Sequence, residues 1–308
     1  MTRSALATAF CCLLALAASA MAAGPTASAS LADPLEGSGG GARAAGMGSA
    51  FVGVADDSSA LLWNPGGLGT LDQAEIALNH NSWIGGIVQE VAVADLPMGN
   101  LGVLGLSGSY VNYGTLTGYD DSGNQLGNYT PSSYGFDVGW GAKVLDRLSA
   151  GLALKGAVQG IDGTNYDAYG ADLGVLWMPA DGLRVGLTGT NLGPQVAGFS
   201  LPATLRLGGS QLLSLAPSNR LLLAVSGSWE PQGANYLQFG VEDRFLPLLA
   251  LRAGYQASLQ ENQIDGVTGL SLGLGLDIRG FSLDYAFLPY GELGTAQRLS
   301  LAYRFGGA

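Results

Sequence analysis

Few side chains in this 308-residue sequence have the types and spacing that chemistry needs. His80 is the only histidine, which argues against His-based triads and multi-histidine metal sites. Cys11 and Cys12 fall in the N-terminal apolar stretch, and no cysteine follows them. Disulfides, thiolate metal sites and cysteine nucleophiles are therefore not expected in the rest of the chain. Asp120-Asp121-Ser122-Gly123-Asn124 gathers oxygen donors around a glycine, as calcium loops do, but its spacing misses the EF-hand pattern and a solvated turn is expected. Gly46-Met47-Gly48 has neither the preceding strand nor the spacing of a dinucleotide-binding turn. No carboxylate pair is flanked by a hydrolase motif. The residues point away from an enzyme, with no cofactor and no metal.

The chemistry of this chain must then lie in what its elements enclose. Charged residues make up only 12% of the sequence, hydrophobic residues 47%, and 50 residues are glycine. After the N-terminus no apolar run reaches the ~18–20 residues of a membrane helix. Such a chain is poorly suited to water, yet its apolar residues are spread over many short segments. The formal net charge is −11 and no basic stripe is present, which disfavours nucleic-acid binding. Arg3, the apolar run 5–18, and the small-residue sites Ala18-Ser19-Ala20 and Ala20-Met21-Ala22 read as an export signal over residues 1–22.

From residue 74 onward the period is two. In Arg298-Leu299-Ser300-Leu301-Ala302-Tyr303-Arg304-Phe305, odd positions are large and apolar and even positions small or charged. Alternate side chains of a strand face opposite sides. Fourteen such segments are expected: 74–81, 87–96, 101–111, 133–143, 148–160, 167–178, 183–192, 202–212, 220–230, 235–243, 248–257, 267–278, 280–288 and 297–305. Each approximates the ~9–11 residues of a tilted membrane-crossing strand. Connections after even-numbered segments are mostly short, and those after odd-numbered ones longer and more polar, 112–132 being the longest. Membrane barrels have short periplasmic turns and longer outer loops, so both ends of the barrel are placed at the periplasm. Two connections fit poorly: 213–219 is long for a turn, and 231–234 is short for an outer loop. The expected fold is all-β, a transmembrane antiparallel barrel of about fourteen strands over 74–308, with large residues toward lipid and Gly, Ser, Asp, Arg and Gln toward the lumen.

Residues 23–73 are different, rich in Gly, Ala, Ser and Asp without a clean period. They contain Gly-x-Arg at Arg43, then Gly46-Met47-Gly48, Phe51, Ala55-Asp56-Asp57, and Trp63-Asn64-Pro65 followed by Gly66-Gly67-Leu68. This stretch of about thirty residues resembles the N-terminal signature of the PorV/PorQ family, within the FadL-like group of outer-membrane barrels. The resemblance implies fourteen strands and an N-terminal hatch inside the barrel. It aligns Asn64-Pro65-Gly66 with an Asn-Pro-Ala element, Gly standing in for Ala. Met47, Phe51, Leu61, Leu62 and Trp63 are also too apolar to remain a solvated tail. Arg43, Asp56 and Asp57 are expected to pair with lumen charges such as Arg252, Arg298 and Arg304.

Two functions follow from the resemblance. The first is passive transport or binding of hydrophobic small molecules, with lateral escape through a wall weakened at Gly102, Gly105 and Gly108. The second is a type IX secretion component that holds cargo or a translocon at the outer membrane through the loop 112–132. Expected partners are outer-membrane lipid, a hydrophobic ligand in the lumen, or secretion machinery, and no nucleic acid.

Overall fold

A computed structural model describes residues 40–196, 200–216, 218–231, 233–246, 248–260 and 266–306. The expected signal peptide lies outside these residues, as does 23–39. In chain order the strands are β1 (Ala74–Ser82), β2 (Val88–Pro97), β3 (Val103–Asn112), β4 (Leu116–Tyr119), β5 (Gln125–Tyr129), β6 (Ser132–Leu145), β7 (Leu148–Ile161), β8 (Thr164–Ala180), β9 (Leu183–Leu192), β10 (Thr204–Ala216), β11 (Asn219–Trp229), β12 (Tyr236–Leu246), β13 (Leu249–Ser258), β14 (Leu270–Ile278), β15 (Phe281–Pro289) and β16 (Thr295–Phe305). All but β4 and β5 join one closed antiparallel barrel of fourteen strands, sealed by β1 against β16 from Ala74–Phe305 to Ser82–Gln297. Closure leaves no edge with unpaired backbone groups, which a hydrocarbon environment requires.

The alternation seen in the sequence is the alternation of the wall. On β16, Leu301 is 46% exposed and Ser300 is 7% exposed, and the same rhythm runs through β13, β14 and β15. Large residues thus form the outer surface and small or polar ones the inner. Rings gather toward both rims, Phe281, Tyr303 and Phe305 at the short-turn end and Tyr110 with Tyr134 at the long-loop end. Leu301→Arg places a charge on the lipid face and is expected to cost about 2–4 kcal/mol at mid-membrane. Ser300→Arg should be better tolerated. Urea titrations of both variants in lipid vesicles check this, and equal loss would reverse the assigned faces.

The two connections that fitted poorly have physical explanations. β10 continues to Ala216 and β11 begins at Asn219, with a register shift between Ser214 and Ala216, so a bulge and longer strands absorb the apparent length of 213–219. The short outer connection after β11 is braced by Asn235, whose Oδ1 accepts from the Glu230 amide at 2.8 Å.

Strands β6, β7 and β8 extend 14, 14 and 17 residues, beyond the expected segments. Within the long loop, β4 and β5 pair as a separate hairpin, which the sequence reading missed. Asp120 closes its turn, accepting from the amides of Ser122 at 2.9 Å and Asn124 at 2.7 Å and from Asn124 Nδ2 at 2.9 Å. Before β10, Leu201 packs on Ala157 and Ala168, and β10 begins at Thr204 rather than 202.

Candidate functional site

Between Gly40 and Leu71 the chain forms only short turns of helix: α1 (Ala42–Gly46), α2 (Ala60–Trp63) and a 3-10 segment Pro65–Thr70. Repeated glycines and Pro65 make longer helices unfavourable here. α1 packs on β13 to β16, and the 3-10 segment packs on β6, β7 and β8 across the ring. One short segment reaches opposite walls only from inside the barrel. Met47, Phe51, Val54, Leu61 and Leu68 are essentially inaccessible to solvent.

Irregular backbone at this depth needs hydrogen-bond partners, and the wall supplies them. Ser300 Oγ accepts from the Ala42 amide at 2.7 Å. Ser271 Oγ accepts from Gly48 at 2.9 Å and donates to the Gly46 carbonyl at 3.2 Å. Ser210 Oγ donates to the Gly53 carbonyl at 2.8 Å, and Glu75 accepts from the Ser58 amide at 3.2 Å. Asn64 ties the segment to itself and to the wall. Its Nδ2 donates to the carbonyls of Val52 at 2.9 Å and Val175 at 3.0 Å, while its Oδ1 accepts from Gly66 at 3.0 Å. Pro65 lacks an amide proton, so the start of the 3-10 turn leaves no donor unmet there. Trp63 packs against Phe51 with ring centroids 6.2 Å apart and donates through Nε1 to the Gly40 carbonyl at 2.9 Å.

The wall glycines are the complement of this segment. A Cβ on Gly240 would overlap the Met47 carbonyl region, one on Gly254 the Gly48 nitrogen, and one on Gly273 would press on Gly46. On the opposite side Gly141 and Gly151 lie beneath Pro65, Gly174 beneath Asn64, and Gly186 beneath Val52. The sequence shows that these positions are small but not that they form a mould.

Charge holds the segment from below. Arg43 is a hub, its Nη1 lying 2.6 Å from Asp56 and 2.8 Å from Asp57 and its Nε 2.8 Å from Glu242 on β12. Arg184 on β9 reaches Asp56 at 3.1 Å and donates to the Val54 carbonyl at 3.0 Å. The network continues from Glu242 through Arg252 to Asp284. The expected partners of the two aspartates were wrong in detail: Asp56 meets Arg184 on the wall, and Asp57 meets Arg43 of its own segment. Arg252 is bound to Glu242 and Asp284, Arg304 to Glu75 at 2.5 Å, and Arg298 lies over the Trp83 ring at 5.5 Å. Neither aspartate sequence spacing nor period identifies the wall partner, because the lumen offers several arginines at similar depth.

The glycines expected to weaken the wall do not interrupt it. β3 is paired continuously with β2 from Val103–Pro97 to Asn112–Val88 and with β6 from Val103–Gly141 to Asn112–Ser132. Gly102 precedes the strand at φ 94°, Gly105 lies beneath Leu68, and Gly108 has open space on its side. One wall irregularity lies mid-strand at β8–β9, between Ala171 and Leu173, where the amide of Asn191 (φ 58°) donates to the buried Asp172 and Lys155 pairs with Asp172 at 2.9 Å.

Two further features bear on function. An apolar strip, Val91, Val93, Val103 and Ala153, faces Leu61, Leu62 and Leu68 of the inner segment. Leu222 and Ala224 form a second apolar contact, against Met47, Phe51 and Trp63, and much of the remaining lumen wall presents Ser, Asn, Gln, Asp, Glu and Arg. At the short-turn end, beneath the segment, lies a cavity of about 750 Å³ bounded by Arg43, Asp56, Arg184 and the turns at Asp146 and Asp181.

No protein-family model matches the chain, and no curated protein matches its sequence. Solved structures do match its fold. The Ralstonia pickettii toluene transporter TbuX aligns with TM-score 0.58 at 13% identity, covering 86% of this chain and 98% of that one. The Pseudomonas putida toluene transporter TodX gives 0.57 at 12%, with 87% and 99% covered. A Pseudomonas aeruginosa FadL homologue gives 0.51 at 13%, with 92% and 100% covered. At such identities the likeness establishes the fold, which is that of FadL-like outer-membrane barrels.

Proposed function

We propose that this FadL-like barrel sits in the bacterial outer membrane and passes small hydrophobic molecules without energy input, with residues 41–68 as the hatch in its lumen. The observation that carries this reading is the apolar strip under Leu61, Leu62 and Leu68. In a lumen lined mainly by polar and small side chains, it is a place where an apolar solute can replace the hatch without desolvating charge. Solutes of this kind are named for the structural neighbours TbuX and TodX, which are toluene transporters. Lateral exit at Gly102, Gly105 and Gly108 requires the β3 ladder to open, and Leu68 must leave Gly105 first.

A PorV/PorQ-type role in type IX secretion is the second reading. It is favoured by the β4–β5 hairpin, which exposes Leu116, Tyr119 and Leu126 beyond the barrel and would present them to cargo or a translocon.

Bacteria with an intact lipopolysaccharide leaflet and no other such channel should take up dilute radiolabelled toluene faster when they make this protein. A rate equal to that of cells lacking it overturns the transport reading. Copurification with a large envelope assembly through the β4–β5 hairpin would support the second.

A further inference from the structure

The cavity beneath the inner segment carries six arginines against five carboxylates, Asp56, Asp72, Asp146, Asp181 and Glu242, in a chain whose net charge is −11. Of 13 lysines and arginines in the whole sequence, six arginines border it: Arg43, Arg147, Arg184, Arg220, Arg244 and Arg304. Four of these are matched to carboxylates in close ion pairs. Arg43 and Arg184 hold Asp56, Arg304 holds Glu75, and Arg244 holds Asp277. Arg147 donates to the Pro179 carbonyl at 2.9 Å, and its one carboxylate neighbour among the described residues, Asp181 at 3.3 Å, is fully exposed. Arg220 makes no ion pair among the described residues.

The register sharpens the point. Arg220 on β11 stands directly opposite Arg244 on β12, both at lumen-facing positions. Like charges opposite each other on neighbouring strands are destabilising, and with Asp277 and Glu242 beside Arg244 it is Arg220 that is left with no ion-pair partner among the described residues. The same cavity also has apolar surface from Met178, Leu183 and Leu212. Its volume lies within the ~300–1,000 Å³ of small-molecule sites.

We propose that this mouth of the barrel is a binding site for a small organic anion: a carboxylate or phosphate held by Arg220, with Arg147 at the rim, and an apolar body laid against Leu183 and Leu212. The site opens at the short-turn end, so its ligand comes from or leaves to the periplasm. It does not depend on what crosses the lumen above, because Arg220 belongs to no contact that holds the hatch.

The test uses the purified full-length barrel in zwitterionic lipid nanodiscs, with benzoate, inorganic phosphate and neutral benzyl alcohol as probes in calorimetric titration. Benzoate should bind, more tightly than phosphate and benzyl alcohol. Arg220→Gln should weaken benzoate about tenfold, the loss of one charge-assisted contact. Arg147→Gln should weaken it less, and binding should fall as salt rises. Unchanged gel mobility on heating and unchanged circular dichroism show whether each variant still forms the barrel. Absence of benzoate binding, benzyl alcohol binding equally well, or an unchanged affinity in a folded Arg220→Gln barrel overturns the site. Phosphate binding as tightly as benzoate overturns the apolar half of the assignment.

Discussion

Arg43→Met is expected to cost about 3–5 kcal/mol, the loss that follows when one partner of a buried ion pair is removed and the others remain charged. Arg43 is 14% exposed and meets Asp56, Asp57 and Glu242 together, so its removal leaves three carboxylates sharing Arg184 and Arg252. The damage should fall on the seating of the inner segment more than on the wall, whose ladders do not involve Arg43. Urea midpoints in lipid vesicles measure the global part, and protease cleavage within 41–68 measures the local part. Arg43→Lys should be intermediate, since an ammonium keeps the charge but not the planar fork that serves several carboxylates. Glu242→Gln added to Arg43→Met should recover part of the loss, because the two residues share one network and their effects are not additive. Equal stability of Arg43→Met and the parent would show that the hub does not hold the segment.

Gly254→Val carries the second large effect, and it acts by volume. Gly254 faces the lumen on β13 and pairs with Gly240 and Ser271 through its backbone, so a β-branched residue suits the strand itself. Its Cβ would nonetheless occupy the Gly48 nitrogen, which is backbone and cannot rotate away. The barrel should close with α1 lifted from its seat. Single-channel conductance in planar bilayers should rise from a sealed baseline to open, ion-conducting events. Gly254→Ala should show a smaller increase. Gly108→Val is the control, since a Cβ there meets open space. A sealed Gly254→Val barrel would mean that the segment does not block the lumen.

The wall was legible because its signal is local. Leu299, Leu301, Tyr303 and Phe305 against Arg298, Ser300, Ala302 and Arg304 state both the strand and its two faces within eight residues. Fourteen repetitions of that pattern leave little choice but closure. The ends of strands were read less well. The bulge between Ser214 and Ala216 and the added lengths of β6, β7 and β8 depend on the neighbouring strand, which no single segment contains.

The inner segment shows a different limit. Phe51, Leu61 and Trp63 announced burial through composition, but the partner of Asp56 is 128 positions away at Arg184. The glycines at 240, 254 and 273 are also unremarkable one at a time. Their meaning lies in facing one short stretch of backbone, Gly46 to Gly48, and that is a property of three strands brought side by side.

The long reach of these contacts also sets an order of events in time. Ala42 emerges during synthesis 258 residues ahead of Ser300, the group that accepts its amide hydrogen bond, and Arg43 is 199 residues ahead of Glu242. Contacts so distant along a chain carry a loop-closure penalty and form late. The α1 half of the segment, though made first, can therefore be seated only after β12 to β16 are in place. Until the later strands are in place, Met47 and Phe51 lack the wall that covers them, and a folding intermediate with both exposed invites aggregation. A periplasmic chaperone that shields 41–68 during transit would protect the chain during that interval, then release it into the closing ring.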